Sequence, residues 1–494
     1  MTRVPESFSM QPSQNPIVVL ALSILFSLEL AASERPNVLF LFTDDQRFDT
    51  IQALGNKQIK TPHIDRLVKG GTSFTNAYIM GGTSMAVCTP SRAALFSGRT
   101  LWNLECQGKW DFAISRKSTT LAEAFRNRGY TTFATGKNDP GFGKNDHFMR
   151  SFSEGANLYY RGGHRGQDRT PLFKYPSDGN YANREKIPST GKFNAEWFAD
   201  ACVEFLNGRK GNNEPFFAYV SFMTPHDPLN CPQKFLDMYD PKNIKLPGNF
   251  LPKHPFDAGV HHIRDEKLYK RPLTESNIRT QLAKYYALMT HTDAEIGRIL
   301  DALEASGHAE NTIVVFSSDN GLALGSHGLT GKQNVYEHSV KVPLVMRGPG
   351  VPKGETRKQL CYLYDVYPTL CDLAGVATPK TVQYSSLKPV LAKPDHAHRD
   401  HLYFSFMSWQ RSVRDSQYKL IEYAVDGKRH TQLFDLKRDP DEMRDLSKDD
   451  DMKPVLQRMR KLLVAERDRL NDGKSDSPTL LEMSKSFWQT YENG

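Results

Sequence analysis

A cysteine heads the run Cys88-Thr-Pro-Ser-Arg92-Ala-Ala-Leu-Phe-Ser-Gly98-Arg99. Pro90 suits the first turn of a helix, where its missing N–H has no intrahelical partner. Ala93, Ala94 and Leu95 propagate the helix and Gly98 ends it. Cys88 is therefore expected at a helix N-terminus, where free N–H groups and the dipole favour an anion. Arg92, one turn on, faces back toward it. Four further polar clusters each follow an apolar run: Asp44-Asp45, Gly136-Lys137, Thr224-Pro225-His226 and Asp319-Asn320-Gly321. Acids, amides and cations of this kind at strand ends are the raw material of a site for anion chemistry.

The runs before those clusters read as strands. Residues 37–43 are continuously apolar, the pattern of a strand buried on both faces of a parallel sheet. Tyr130–Thr135, Phe216–Phe222 and Thr312–Ser317 read as strands, and 62–69, Leu121–Arg128 and Ile278–Leu303 as helices. In the last, Ile278, Leu282, Tyr285, Met289, Ile296, Leu300 and Leu303 keep helical spacing. Strands alternating with helices predict an open α/β sheet. Ligands of such sheets bind beyond the carboxyl ends of the strands, so the polar clusters are expected to meet on one edge. After about residue 377, Pro379 and Pro389 mark a linker. Short strands at His401–Phe404, Tyr418–Ile421 and Gln432–Leu436 then predict a small antiparallel sheet with a terminal helix. The Gly-, Pro- and charge-rich segments 141–192 and 228–276 are insertions expected to shape a cleft.

The chain has 494 residues, enough for one large and one smaller domain, expected over 34–377 and 378–494. A hydrophobic content of 39% with 11% aromatics excludes a disordered chain. The +8 formal charge is spread out, and its densest patch, Arg458-Met459-Arg460-Lys461, reads as a solvated helix face. No zinc-finger spacing, nucleic-acid motif or repeat is present. Residues 16–28 form an apolar run too short to span a bilayer comfortably, with Arg3 upstream and Ala31-Ala32-Ser33 after it. Residues 1–33 thus read as a secretory signal peptide, with a retained N-terminal anchor as the alternative, and the mature protein after cleavage as exported, periplasmic or extracellular, and not membrane-bound. The six cysteines have no spacing that names a pairing and read as small buried apolar residues.

The Cys88–Arg99 run resembles the signature of the formylglycine-dependent (type I) sulfatases of the alkaline phosphatase superfamily. Further segments match in order: Asn37–Asp45, Thr61–Leu67, Gly129–Lys137, Ser317–Gly321, His327–Lys332, Val342–Gly350, Tyr418–Leu420, Leu433–Leu436 and Asp439-Pro440. The resemblance implies an alkaline-phosphatase-like α/β fold, a mixed, mostly parallel sheet flanked by helices, with a smaller C-terminal α+β part built on an antiparallel sheet. It also implies that a formylglycine-generating enzyme converts Cys88 to an aldehyde, formylglycine (3-oxoalanine). One hydroxyl of the aldehyde hydrate attacks sulfur, and the other lets the sulfated product collapse with release of sulfate. The resemblance further implies one Ca²⁺ held by Asp44, Asp45, Asp319, Asn320 and an oxygen of residue 88. Oxygen donors of this type suit Ca²⁺ or Mg²⁺. Arg92 is implied to pin the hydrate and the sulfate. Lys137 and Lys332 are assigned to the sulfate, and His226 to protonating the leaving group.

One position departs from the family pattern: Asp139 stands where a histidine base is usual, with His147 as an alternative. Export and the insertions point to a sulfated sugar or polysaccharide as substrate. Arg161, His164, His327, Trp409 and Arg411 are candidate substrate contacts. Two alternatives are a phosphonate monoester or phosphodiester hydrolase with the same nucleophile, and a catalytically silent sulfated-glycan-binding relative.

Overall fold

The computed structural model describes residues 1–2, 35–108, 111–138, 147–159, 166–176 and 184–493. The expected signal peptide lies almost entirely outside them. Pro36–Gly494 forms one compact unit.

At its centre is β1 (Asn37–Asp44), buried along its whole length. Val38, Phe40 and Phe42 point into one core and Leu39 and Leu41 into another. Two apolar faces explain why the strand reads as an unbroken hydrophobic run. The sheet also contains β2 (Thr72–Phe74), β3 (Thr131–Lys137), β4 (Glu154–Tyr159), β5 (Leu172–Phe173), β6 (Lys186–Ile187), β7 (Phe216–Pro225), β8 (Thr312–Ser318), β9 (Leu344–Arg347) and β10 (Glu355–Arg357). Their order is β6-β5-β4-β3-β7-β1-β8-β9-β2-β10. The central run from β4 to β8 is parallel, and β9 is antiparallel to both its neighbours. This is the open α/β sheet expected from the strand–helix alternation, with the mixed, mostly parallel order that the resemblance implies.

Helices α1 (Pro62–Gly70), α4 (Asn194–Asn207) and α5 (Glu275–Ala305) pack on the Leu39 face. On the opposite face lies α2 (Cys88–Ser97), all ten of whose residues are buried. Gly98 closes α2 in the left-handed region at φ +67°, its N–H donating to Ala94 O. Helix α3 (Leu121–Arg126) starts at Thr120, whose hydroxyl accepts from Glu123 N–H in a capping box. Helix α5 extends the predicted helix by a few residues at each end. Among the described residues no helix is long and apolar enough to cross a membrane.

The second sheet contains β11 (Leu402–Phe406), β12 (Gln410–Arg414), β13 (Tyr418–Val425) and β14 (Lys428–Asp435), all antiparallel, with Gly81–Gly82 added parallel to β11. Its apolar residues share the core of the Phe40 face. Strand β12 was not expected, because Gln-Arg-Ser-Val-Arg lacks an apolar alternation. Two terminal helices, α6 (Lys453–Arg469) and α7 (Pro478–Asn493), replace the single one predicted. The Arg458–Lys461 stretch is not a wholly solvated face. Met459 is buried, and Arg460 Nε donates to buried Glu422 at 2.8 Å.

Gly136, just before Lys137, sits at φ +92°, and a Cβ there would lie 1.9 Å from Ser221 O on β7. Only glycine fits both the dihedral and the close approach. Gly136→Ala is expected to destabilise the protein by about 3 kcal/mol or more, read by denaturant unfolding. A change below about 1 kcal/mol would show that the two strands separate easily.

Candidate active site

Parallel register brings the polar clusters together. Thr43 lies opposite Ser318, Asp44 opposite Pro225, and Ser221 opposite Gly136. The residues that follow, Asp45, Lys137, His226, Asp319 and Asn320, therefore leave the sheet at one edge. Helix α2 begins beside them. Asp44, Cys88 and Asp319 each present a ligand atom within 4.8 Å of the others, and all three are buried.

Each carboxylate has a cation. Lys137 Nζ donates to Asp44 Oδ2, Lys332 Nζ to Asp45 Oδ1 at 2.6 Å, and Arg92 Nε to Asp319 Oδ2 at 2.8 Å. Three buried acids thus face three basic side chains. Burial would discharge Lys332, but Asp45, Cys88 and Asp44 hold it charged. Burial would likewise raise Asp44, but Lys137, His226, Arg92 and Lys332 keep its carboxyl well below the usual range. Asp319 behaves oppositely. Burial and the adjacent Asp44 push its carboxyl up to about 6, against the pull of Arg92 and Lys137. Like charges this close resist ionising together.

Two observations show that a hard divalent cation fits this cluster. Asp44 Oδ1 and Asn320 Oδ1 are buried without a hydrogen-bond partner. Such orphaned acceptors are uncommon and costly in a protein interior. The surrounding donors are carboxylate and amide oxygens, the set that Ca²⁺ or Mg²⁺ takes. Asp45 completes the cluster under strain, at φ +67°. Its N–H donates to Asp319 Oδ1 at 3.1 Å, and its carbonyl accepts from Tyr285 OH at 2.6 Å. Non-glycine residues held in this region are typically fixed by their surroundings at functional sites.

His226 Nε2 lies 3.7 Å from Asp45 Oδ2. On its other side, Nδ1 sits 2.8 Å from Asp227 O and 3.1 Å from Asp227 Oδ1. Asp227, which the sequence reading missed, fixes the ring; its signal is its place directly after the histidine. Also missed were Tyr219 and Ser221 of β7, which accept from Arg92 Nη1 at 3.0 and 2.5 Å. Their alternation along the strand was the available clue. Asp265 was missed too. Burial would raise it, but Lys332, Arg264 and the Gln333 amide hold its carboxyl down at about 2.

The other expected site residues have different surroundings. Arg411 does not line a cleft. It is fully buried, its Nε 2.5 Å from Asp472 Oδ2, with its guanidinium over the rings of Trp102 and Phe487. His327 is buried and stacks on Tyr336 at 4.0 Å, next to His338, and burial keeps it neutral, its pKa pushed down to about 3. His147 Nε2 lies 3.1 Å from Ser118 O and 3.5 Å from Glu123, so it is held at the start of α3. Trp409 is half-buried against His262 and Phe406. Asp139, Arg161 and His164 lie outside the described residues. All six cysteines are buried and none is bridged.

The sulfatase family model matches residues 36–376, and a model of the N-sulphoglucosamine sulphohydrolase C-terminal region matches 325–469. An arylsulfatase of Clostridium perfringens is 27% identical over 91% of this chain and 98% of its own length. An ulvan-active sulfatase of Formosa agariphila is 29% identical over 82% of this chain and 76% of its own. A solved structure holding its substrate D-glucosamine-2-N,6-O-disulfate superposes with a TM-score of 0.74 at 22% identity, covering 90% of this chain and all of that one. With the metal-ready acidic cluster, the flanking cations and this match across most of its length, the chain belongs to the sulfatase family of sulfuric ester hydrolases, built on the alkaline-phosphatase-like fold.

Proposed function

We propose that this protein is an exported sulfatase that removes sulfate from a sulfated carbohydrate. Its nucleophile would be a formylglycine hydrate at position 88, made by a formylglycine-generating enzyme. The observation that carries the reading is the meeting of Cys88 with Asp44 and Asp319 at the head of α2, ringed by Arg92, Lys137 and Lys332. A carbohydrate substrate is supported by the ulvan-active relative and by the glucosamine disulfate held in the similar fold. Residues 1–33 would be the export signal, and 34–377 and 378–494 the catalytic and C-terminal parts.

Roles follow from chemistry and position. Asp44, Asp45, Asp319, Asn320 and an oxygen of residue 88 would hold Ca²⁺. When bound, the ion lowers the cost of negative charge on the nucleophilic oxygen and on the sulfate. Lys137 and Lys332 would meet the nonbridging sulfate oxygens. Arg92 has no exposed surface and donates to Asp319, Tyr219 and Ser221, which favours a positioning role: it holds a metal ligand and does not grip sulfate. Asp139 would take the proton that leaves residue 88.

His226 would protonate the departing sugar oxygen, with Asp227 orienting its ring. That role makes an asymmetric prediction. His226→Ala is expected to cost about 10²–10⁴-fold in kcat on a sugar sulfate, whose alkoxide leaves poorly. On an activated aryl sulfate, whose phenolate leaves unaided, the loss is expected to be at most roughly tenfold. Equal losses on the two substrates would remove His226 from this role. The function itself is tested by comparing sulfated oligosaccharides, aryl sulfates, phosphonate monoesters and phosphodiesters on the matured enzyme. Sulfate esters are expected to turn over fastest. Much faster phosphoester turnover would overturn the assignment.

A further inference from the structure

On the Leu39 face of the sheet, a second group of metal-binding side chains joins two helices. Glu196 lies in the first turn of α4, while His291 and Glu295 stand one turn apart on α5. The three offer ligand atoms within 4.8 Å of one another. His291 Nε2 is 3.6 Å from Glu196 Oε1 and 3.9 Å from Glu295 Oε1. Those gaps are too long for hydrogen bonds. They lie close to the separation of about 3.4 Å between ligands of a tetrahedral ion with bonds of roughly 2.1 Å.

The histidine supplies an independent sign of a missing partner. It is 1% exposed, and neither ring nitrogen has a hydrogen-bond partner. Its ring is fixed between Phe193 and Phe235, at centroid distances of 5.5 and 5.0 Å. Burial, aided by Lys234, pushes its pKa down to about 4, so at neutral pH its lone pair is available. Each carboxylate commits its other oxygen elsewhere. Glu196 Oε2 accepts from Phe193 N–H at 3.3 Å, and Glu295 Oε2 from Arg298 Nη1 at 2.6 Å. Both Oε1 atoms are left facing the imidazole.

We propose that Glu196, His291 and Glu295 form a second metal site, separate from the catalytic cluster, for a first-row divalent transition ion. One imidazole nitrogen with two carboxylate oxygens suits Zn²⁺ or Co²⁺ better than Ca²⁺, which prefers an all-oxygen shell. The partly exposed Glu196 leaves room for water to complete the coordination. The ion would tie the N-terminal turn of α4 to the middle of α5, and α5 also carries the Tyr285 that holds the Asp45 carbonyl.

The test is a Co²⁺ titration of the metal-stripped full-length protein in a large excess of Ca²⁺, which keeps the oxygen-rich catalytic cluster filled. Visible d–d absorption is followed, then its loss on adding Zn²⁺. The wild-type protein is expected to bind one equivalent. His291→Phe keeps the aromatic packing and Glu295→Gln keeps the shape. Each is expected to weaken binding by at least the roughly 10–100-fold that losing even a supporting partner costs a metal site. Sulfate-ester turnover in Ca²⁺ is expected to stay within about twofold for both variants, since neither residue touches the catalytic cluster. Failure of the wild-type protein to take up Co²⁺ under these conditions, or unchanged affinity in either variant, overturns the proposal.

Discussion

Cys88→Ala is expected to abolish sulfate-ester turnover, with kcat falling by at least about 10⁴-fold, the scale of losing a nucleophile that acts as one unit with its neighbours. Residue 88 sits at the first turn of α2, where backbone N–H groups and the helix dipole favour an anionic oxygen. Its side chain is the one member of the cluster able to gain two hydroxyls on a single carbon. The acids are bound to cations, and the cations have no lone pair to attack sulfur while protonated. Alanine is a good helix former and removes only the reactive group at position 88, so α2 is expected to survive. The measurement is sulfate release under saturating substrate, alongside the unfolding midpoint. A stable Cys88→Ala protein that retains a tenth of the activity would contradict the nucleophile assignment.

The second large effect is expected at Asp44. Its Oδ2 accepts from Lys137, and its Oδ1 is buried without a hydrogen-bond partner, as is Asn320 Oδ1. Asp44→Asn keeps the shape but removes one of three negative charges from among Arg92, Lys137 and Lys332. Stripping one partner from a buried ion pair costs about 3–5 kcal/mol. Losing an electrostatic contact to developing charge costs about 10²–10³-fold in rate. We therefore expect a drop in kcat of at least 10²-fold together with a clear loss of stability. Divalent-ion chelation of the wild-type enzyme is expected to reproduce the loss of rate, with recovery on adding Ca²⁺. Wild-type activity after exhaustive chelation would show that the cluster works without a metal.

Much of this site was legible because parallel strands advertise their ends. An apolar run such as 37–43 followed by Asp44-Asp45 marks both a strand and the edge where it stops. Four such endings, placed in one parallel sheet, must meet. What could not be read was pairing across distance. Arg411 was a candidate substrate contact, yet it finds Asp472 sixty-one residues later and is wholly buried. The partners of Arg92 on the sheet, Tyr219 and Ser221, became visible only once β7 was set beside α2. The Glu196–His291–Glu295 group likewise depends on how α4 crosses α5, which periodicity on either helix alone does not specify. The insertions were the least legible, since Gly- and Pro-rich segments carry little periodic signal.

The central claim is that residue 88 acts as an aldehyde. The most direct test is the mass of the peptide carrying residue 88, taken from enzyme that turns over sulfate esters. Conversion of the cysteine is expected to lower that mass by about 18 Da, a covalent change the sequence does not display. A fully unmodified thiol in actively hydrolysing enzyme would contradict the account.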